Sequence, residues 1–173
     1  MNLRNILIAA TAMSAIAGGA FAQASATATA PSDAAIVAPL SIAAVASTRL
    51  SFGTIVKPSS GTSLIRVSAG GVRSLENGNA TLLTGGTTPQ AASFNVAGEG
   101  AKTFSITAAN FNLISGANIL SVTPVLDGTT GTISGLAGAT GTAAVAVGGD
   151  LVLAAGTVNG AYAGVLSVTV AYN

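Results

Sequence analysis

The chain has 173 residues, half of them hydrophobic and only 6% charged, with six Lys and Arg against five Asp and Glu, no His and no Cys. Without His or Cys it lacks a Ser-His-Asp or Cys-His nucleophile system, the usual zinc sites and any disulfide framework, so stability must come from core burial and backbone pairing. The near-neutral balance leaves no basic footprint for nucleic acid and no polybasic patch for anionic lipid.

The predicted elements begin with a secretory signal. Arg4 is the single charge of the first five residues, Ile6–Ala17 is an uncharged apolar run, and Ala20-Phe21-Ala22 offers small residues where a signal peptidase reads. Cleavage is expected between Ala22 and Gln23. The apolar run falls short of the roughly 20 residues that cross a bilayer, Gly18-Gly19 interrupts it, and no later stretch resembles it. The mature chain is therefore expected to be exported to the periplasm and then the cell surface or medium, with no membrane span. Removing residues 1–22 from 173 leaves 151, enough for one domain with a core. Its charges, Arg49, Lys57, Arg66, Arg73 and Lys102 against Asp33, Glu76, Glu99, Asp127 and Asp150, cancel. A surface so weakly charged suits a chain that assembles better than one that stays free.

Residues 23–34 read as an extended N-terminal arm, since the small alternating residues of Gln23–Ser32 provide no helical apolar stripe. Residues 35–173 read as a single β domain. In Ala35–Ala46, Ile36, Leu40 and Ile42 share one strand face, and Pro39, which cannot donate to a ladder, places this strand at an edge or a bend. Short strands are predicted at 50–56, 63–68, 80–83, 92–97, 102–107, 119–126, 142–147, 151–154 and 162–172, separated by Gly-, Asn- and Asp-rich turns. Almost no helix is expected. This rhythm predicts an all-β, antiparallel, immunoglobulin-like or pilin-like sandwich. Two hairpins are read locally. Phe94 and Val96 would return through Gly98-Glu99-Gly100 to Phe104 and Ile106, and Val145 and Val147 through Gly148-Gly149-Asp150 to Leu151 and Leu153.

Catalytic, cofactor-binding and metal-binding residues are absent from this reading. The carboxylates Glu76, Glu99, Asp127 and Asp150 are scattered beside Gly or Asn in predicted turns, where such residues keep loops soluble. Gly98–Thr103 has the wrong spacing for a phosphate loop and no helix after it.

The C-terminus carries the most informative pattern. Gly160, Tyr162, Gly164, Leu166, Val168, Val170 and Tyr172 fall on one face of a strand, with Gly160 fourteenth from the end and Tyr172 penultimate. This resembles the terminal strand of chaperone-usher pilins; an ordinary core strand at the chain end would show the same alternation. More widely, Pro39-Leu40-Ser41-Ile42, Leu50-Ser51-Phe52-Gly53-Thr54-Ile55, Phe94–Gly98, Val147-Gly148-Gly149, Gly160–Gly164 and Val168–Asn173 resemble a proteobacterial secreted family, domain of unknown function 4402. That resemblance implies a secreted all-β domain and no known activity. The pilin resemblance implies self-association by strand donation, with a periplasmic chaperone and an outer-membrane usher as partners. In that scheme Gln23–Ser32 is the donor arm and Tyr162–Tyr172 is one wall of the accepting groove. The arm departs from known donor strands in offering alanines in place of bulky residues. The competing expectation is a self-complete surface domain that binds a polymer such as a polysaccharide, although the aromatic residues mostly fall on core faces.

Overall fold

A computed structural model describes residues 25–173; the signal segment, the Ala22–Gln23 cleavage point and the first two residues of the arm lie outside the described residues. Residues 25–34 contain neither helix nor strand, and a separate unit, Ala35–Asn173, holds twelve strands. They are β1 (Ser41–Ala44), β2 (Ile55–Val56), β3 (Thr62–Val67), β4 (Arg73–Asn77), β5 (Thr81–Leu82), β6 (Ala92–Glu99), β7 (Thr103–Ala108), β8 (Phe111–Ser115), β9 (Asn118–Leu126), β10 (Thr130–Thr132), β11 (Thr140–Ala154) and β12 (Val168–Tyr172). The described residues include no helix, hence none long and apolar enough to cross a membrane. The fold is an all-β antiparallel sandwich, as the turn rhythm predicts.

The fifteen residues of β11 form the spine. Val147 pairs with both Ala92 of β6 and Leu126 of β9, and Gly149–Leu151 pair with both β3 and β9. One edge of β11 therefore carries β6 and then β3, while β9 lies along the opposite edge. The larger sheet continues outward through β1 beside β6, β4 beside β3 and β8 beside β9. The hairpin expected at Gly148-Gly149-Asp150 does not form, because β11 runs straight through it. Neither glycine has a positive φ. A Cβ on Gly148 would collide with the Val67 carbonyl, and one on Gly149 would lie 2.8 Å from Leu50 and 3.2 Å from Phe52. The glycine pair thus serves close approach where β11 changes partners, a recognised role of glycine inside strands. With no turn, Val145, Val147, Leu151 and Leu153 all keep the same inward face.

The hairpin expected at Gly98-Glu99-Gly100 is also replaced. β6 belongs to the large sheet and β7 to a second sheet ordered β10-β7-β12, so the chain changes layers at this point. Ala101 takes φ 60° in a turn closed from the Lys102 amide to the Glu99 carbonyl, and Gly100 and Ala101 donate to Ala139 and Ile133 carbonyls, but no β6–β7 ladder follows. The alternation that suggested the hairpin survives, since Val96 and Phe104 are fully buried from opposite layers.

The core has two parts. The β10-β7-β12 sheet covers β6 and the first half of β11, enclosing Val96, Phe104, Ile106, Ile133, Val145 and Val147. Over β3, β9 and the second half of β11, the cover for Ile65, Val67, Val122, Leu151 and Leu153 is an irregular segment around Phe52 and the two-residue strands β2 and β5. One half of the sandwich has a complete second layer and the other does not.

Three further differences concern the edges. β1 occupies the sheet edge with Pro39 just outside it, but Ile36 precedes the strand and is 95% exposed instead of facing the core. The strand expected at 50–56 shrinks to β2 because Gly53 breaks it with φ 69°. The strand expected at 162–172 is regular only from Val168.

Candidate assembly groove

Where the second layer is incomplete, an apolar groove of about 870 Å³ opens to solvent. Its floor is the inward face of the large sheet: Phe111 and Leu113 of β8, Leu120 of β9, and Leu151 and Leu153 of β11. Leu50–Ile55 forms one wall and Thr157–Leu166 the other, with Phe94 of β6 between them. The second wall is extended but scarcely paired. Ala163 exchanges both backbone hydrogen bonds with Ile114 of β8, at 2.7 and 3.1 Å. Successive residues of an extended chain present their backbone groups to opposite edges. Those of Tyr162 and Gly164 therefore point away from β8 and have no backbone partner among the described residues.

The seven residues singled out in the C-terminal pattern divide between two places. Gly160, Tyr162, Gly164 and Leu166 line the groove. Val168, Val170 and Tyr172 sit in β12, paired to Ala108, Ile106 and Phe104 of β7, and pack on the first core half while Thr169 and Ala171 face out. The inward alternation holds in β12, but Tyr162–Tyr172 is not one strand and only its first part borders the groove. Gly164 is forced by sterics, since a Cβ there would strike the Asn112 carbonyl on β8. Tyr162 donates its hydroxyl to the Val158 carbonyl at 2.8 Å, bracing the same wall.

A scan against protein-family models matches residues 40–172 to Domain of unknown function (DUF4402). The chain belongs to the DUF4402 family. Comparison with curated proteins and with solved structures gave no match. Within this DUF4402 domain, the motifs that carry the resemblance fall at structural joints. Leu50–Ile55 and Gly160–Gly164 form the two groove walls, Val147-Gly148-Gly149 is the partner switch on β11, and Val168–Tyr172 is β12.

Sequence reasoning missed the groups that hold the DUF4402 domain in this shape. Arg73 donates to the carbonyls of Phe52 at 2.8 Å, Thr54 at 3.1 Å and Leu83 at 2.6 Å, tying the first wall to β4. Lys57 bridges the walls through the Thr157 carbonyl at 2.9 Å. At the other end, Tyr172 donates its hydroxyl to the Ala38 carbonyl at 2.9 Å and accepts from the Glu99 amide at 2.7 Å. The buried Glu99 carboxylate accepts from the amides of Gly138 and Ala38. These amide donors, Gly138 first, hold the Glu99 carboxyl below its ordinary range. The contacts join residues far apart in sequence, and the visible hint was Gly98, where a Cβ would displace the tyrosine hydroxyl.

Proposed function

We propose that the chain is an exported, non-catalytic structural subunit that assembles by β-strand donation, the arm Gln23–Ser32 of one copy entering the groove of the next. The observation that carries the reading is the groove itself. It is an apolar slot over an incomplete sandwich half, bordered by a nearly strand-like segment whose Tyr162 and Gly164 backbone groups are unpartnered. An incoming strand would supply backbone partners to that edge and cover the half-buried Phe111, Leu113 and Leu120. The scarcity of charge in the sequence supports assembly over solution life. A periplasmic chaperone and an outer-membrane usher are the partners this mode would use, with the cell surface as the destination.

The test is the mature chain beginning at Gln23 against the same chain lacking residues 23–32, each exported and purified. The full chain is expected to form multimers that survive detergent until boiled, and the shortened one to stay monomeric. Monomers from both, with equal melting temperatures, would overturn strand donation and leave a self-complete surface domain. Saturable binding of an oligosaccharide by that monomer would then support polymer recognition.

A further inference from the structure

The groove has an uneven charge pattern. Two of its lining residues are cations, Arg49 and Lys57, and none is a carboxylate. The Lys57 ammonium is engaged by Thr157. Arg49 is exposed and forms no ion pair among the described residues. Of the other acids, Asp150 is engaged with Arg66, Glu76 with the Ser74 hydroxyl and Glu99 with two amides, while Asp127 is exposed between β9 and β10; none of the four lines the groove. The arm ends at Ser32, and the next residue is Asp33, the only acid in the first 75 residues of the chain. Ala38, five residues on, is fixed in its own domain by Glu99 and Tyr172. Five extended residues reach at most about 17 Å, so Asp33 travels with the arm yet stays near the domain from which it leaves.

We infer that Asp33 of one copy pairs with Arg49 of the next, so that this charge pair sets the register in which the arm lies in the groove. The inference rests on the strand-donation reading and adds what that reading leaves open, namely the stopping point of a strand whose alternating small residues fit in more than one register. A strand with uniform side chains slips easily, because nothing distinguishes one alignment from the next. A charge at the groove mouth fixes the alignment and the choice of partner more than it adds affinity. Ile36, exposed between Asp33 and Ala38, marks the span that crosses from one copy to the next.

The experiment uses the mature chain with Asp33→Arg, with Arg49→Asp, with both, and an equal mixture of the two single variants, each measured by sedimentation at low salt. Both side chains are exposed, so melting temperatures should be unchanged. Each single variant should need about a tenfold higher concentration for half-assembly, with the difference shrinking in high salt. The double variant and the mixture should both recover, because each restores opposite charges at every joint. Recovery by the double variant alone would place the pair within one chain and overturn the inference. If the single variants assemble as the parent does while the arm-deleted chain does not, the register claim fails and strand donation stands. Parent-like assembly by the arm-deleted chain removes both.

Discussion

Tyr172 shows how much one side chain at the end of the chain controls. Its ring packs on the first core half while its hydroxyl satisfies the Glu99 amide and the Ala38 carbonyl, so Tyr172→Phe leaves two backbone groups unpaired. The expected loss is about 1–3 kcal/mol of unfolding free energy, read from urea denaturation. Glu99 adds a pH dependence whose sign follows from its depressed carboxyl. Its contribution is fully present above the unfolded-state value of about 4.3 and is lost as pH falls through the lower folded value. Glu99→Gln should therefore be less stable than the parent at pH 7, and the gap should close as pH falls below about 4. A gap that stays constant down to pH 2 would show that the carboxylate charge is not what holds Gly138 and Ala38. Arg66 and Asp150, directly opposite on β3 and β11, form an ion pair whose arginine end is open to solvent, so replacing Arg66 should shift the urea midpoint only slightly.

At the scale of elements, the two misread hairpins share one cause. Inward alternation at Phe94, Val96, Phe104 and Ile106, and at Val145 through Leu153, was legible because a period of two is a local property. Whether an intervening Gly-containing segment turns, bends into another layer or continues depends on distant backbone. The Val67 carbonyl decides the matter for Gly148, and the Ile133 and Ala139 carbonyls decide it for the Glu99–Ala101 corner. β4, β8 and β10 were not legible because they are only three to five residues long, and of the three only β8 carries inward apolar residues, Phe111 and Leu113. The glycine argument is testable by contrast. Gly148→Ala should cost about 2–4 kcal/mol through its collision with β3. Gly116→Ala, at φ 59° in open space, should cost only about 1 kcal/mol. Equal costs would restore the turn reading. On β12, Val168→Asp should destabilise by roughly 3–5 kcal/mol and Thr169→Asp hardly at all, since only the first faces the core.

For the whole molecule, the division into a covered and an uncovered half predicts uneven dynamics. In a chain lacking residues 23–32, amides of Val158–Ser167 other than Ala163 should exchange with solvent far faster than those of β11, because they have few backbone partners. On assembly of the full chain, Tyr162 and Gly164 should become protected, and unchanged exchange there would count against the groove as the seat of the incoming strand. The clamp at Ala38 has a mechanical corollary. A pull on the N-terminal end of the domain reaches the Glu99 carboxylate and the Tyr172 hydroxyl before it reaches the β1–β6 ladder. Tension then meets bonds anchored in two different sheets, and β1 can start to peel only after both have given way. Rupture force, which reports an unfolding rate and not an equilibrium, should therefore drop in Tyr172→Phe by more than its loss of stability alone implies.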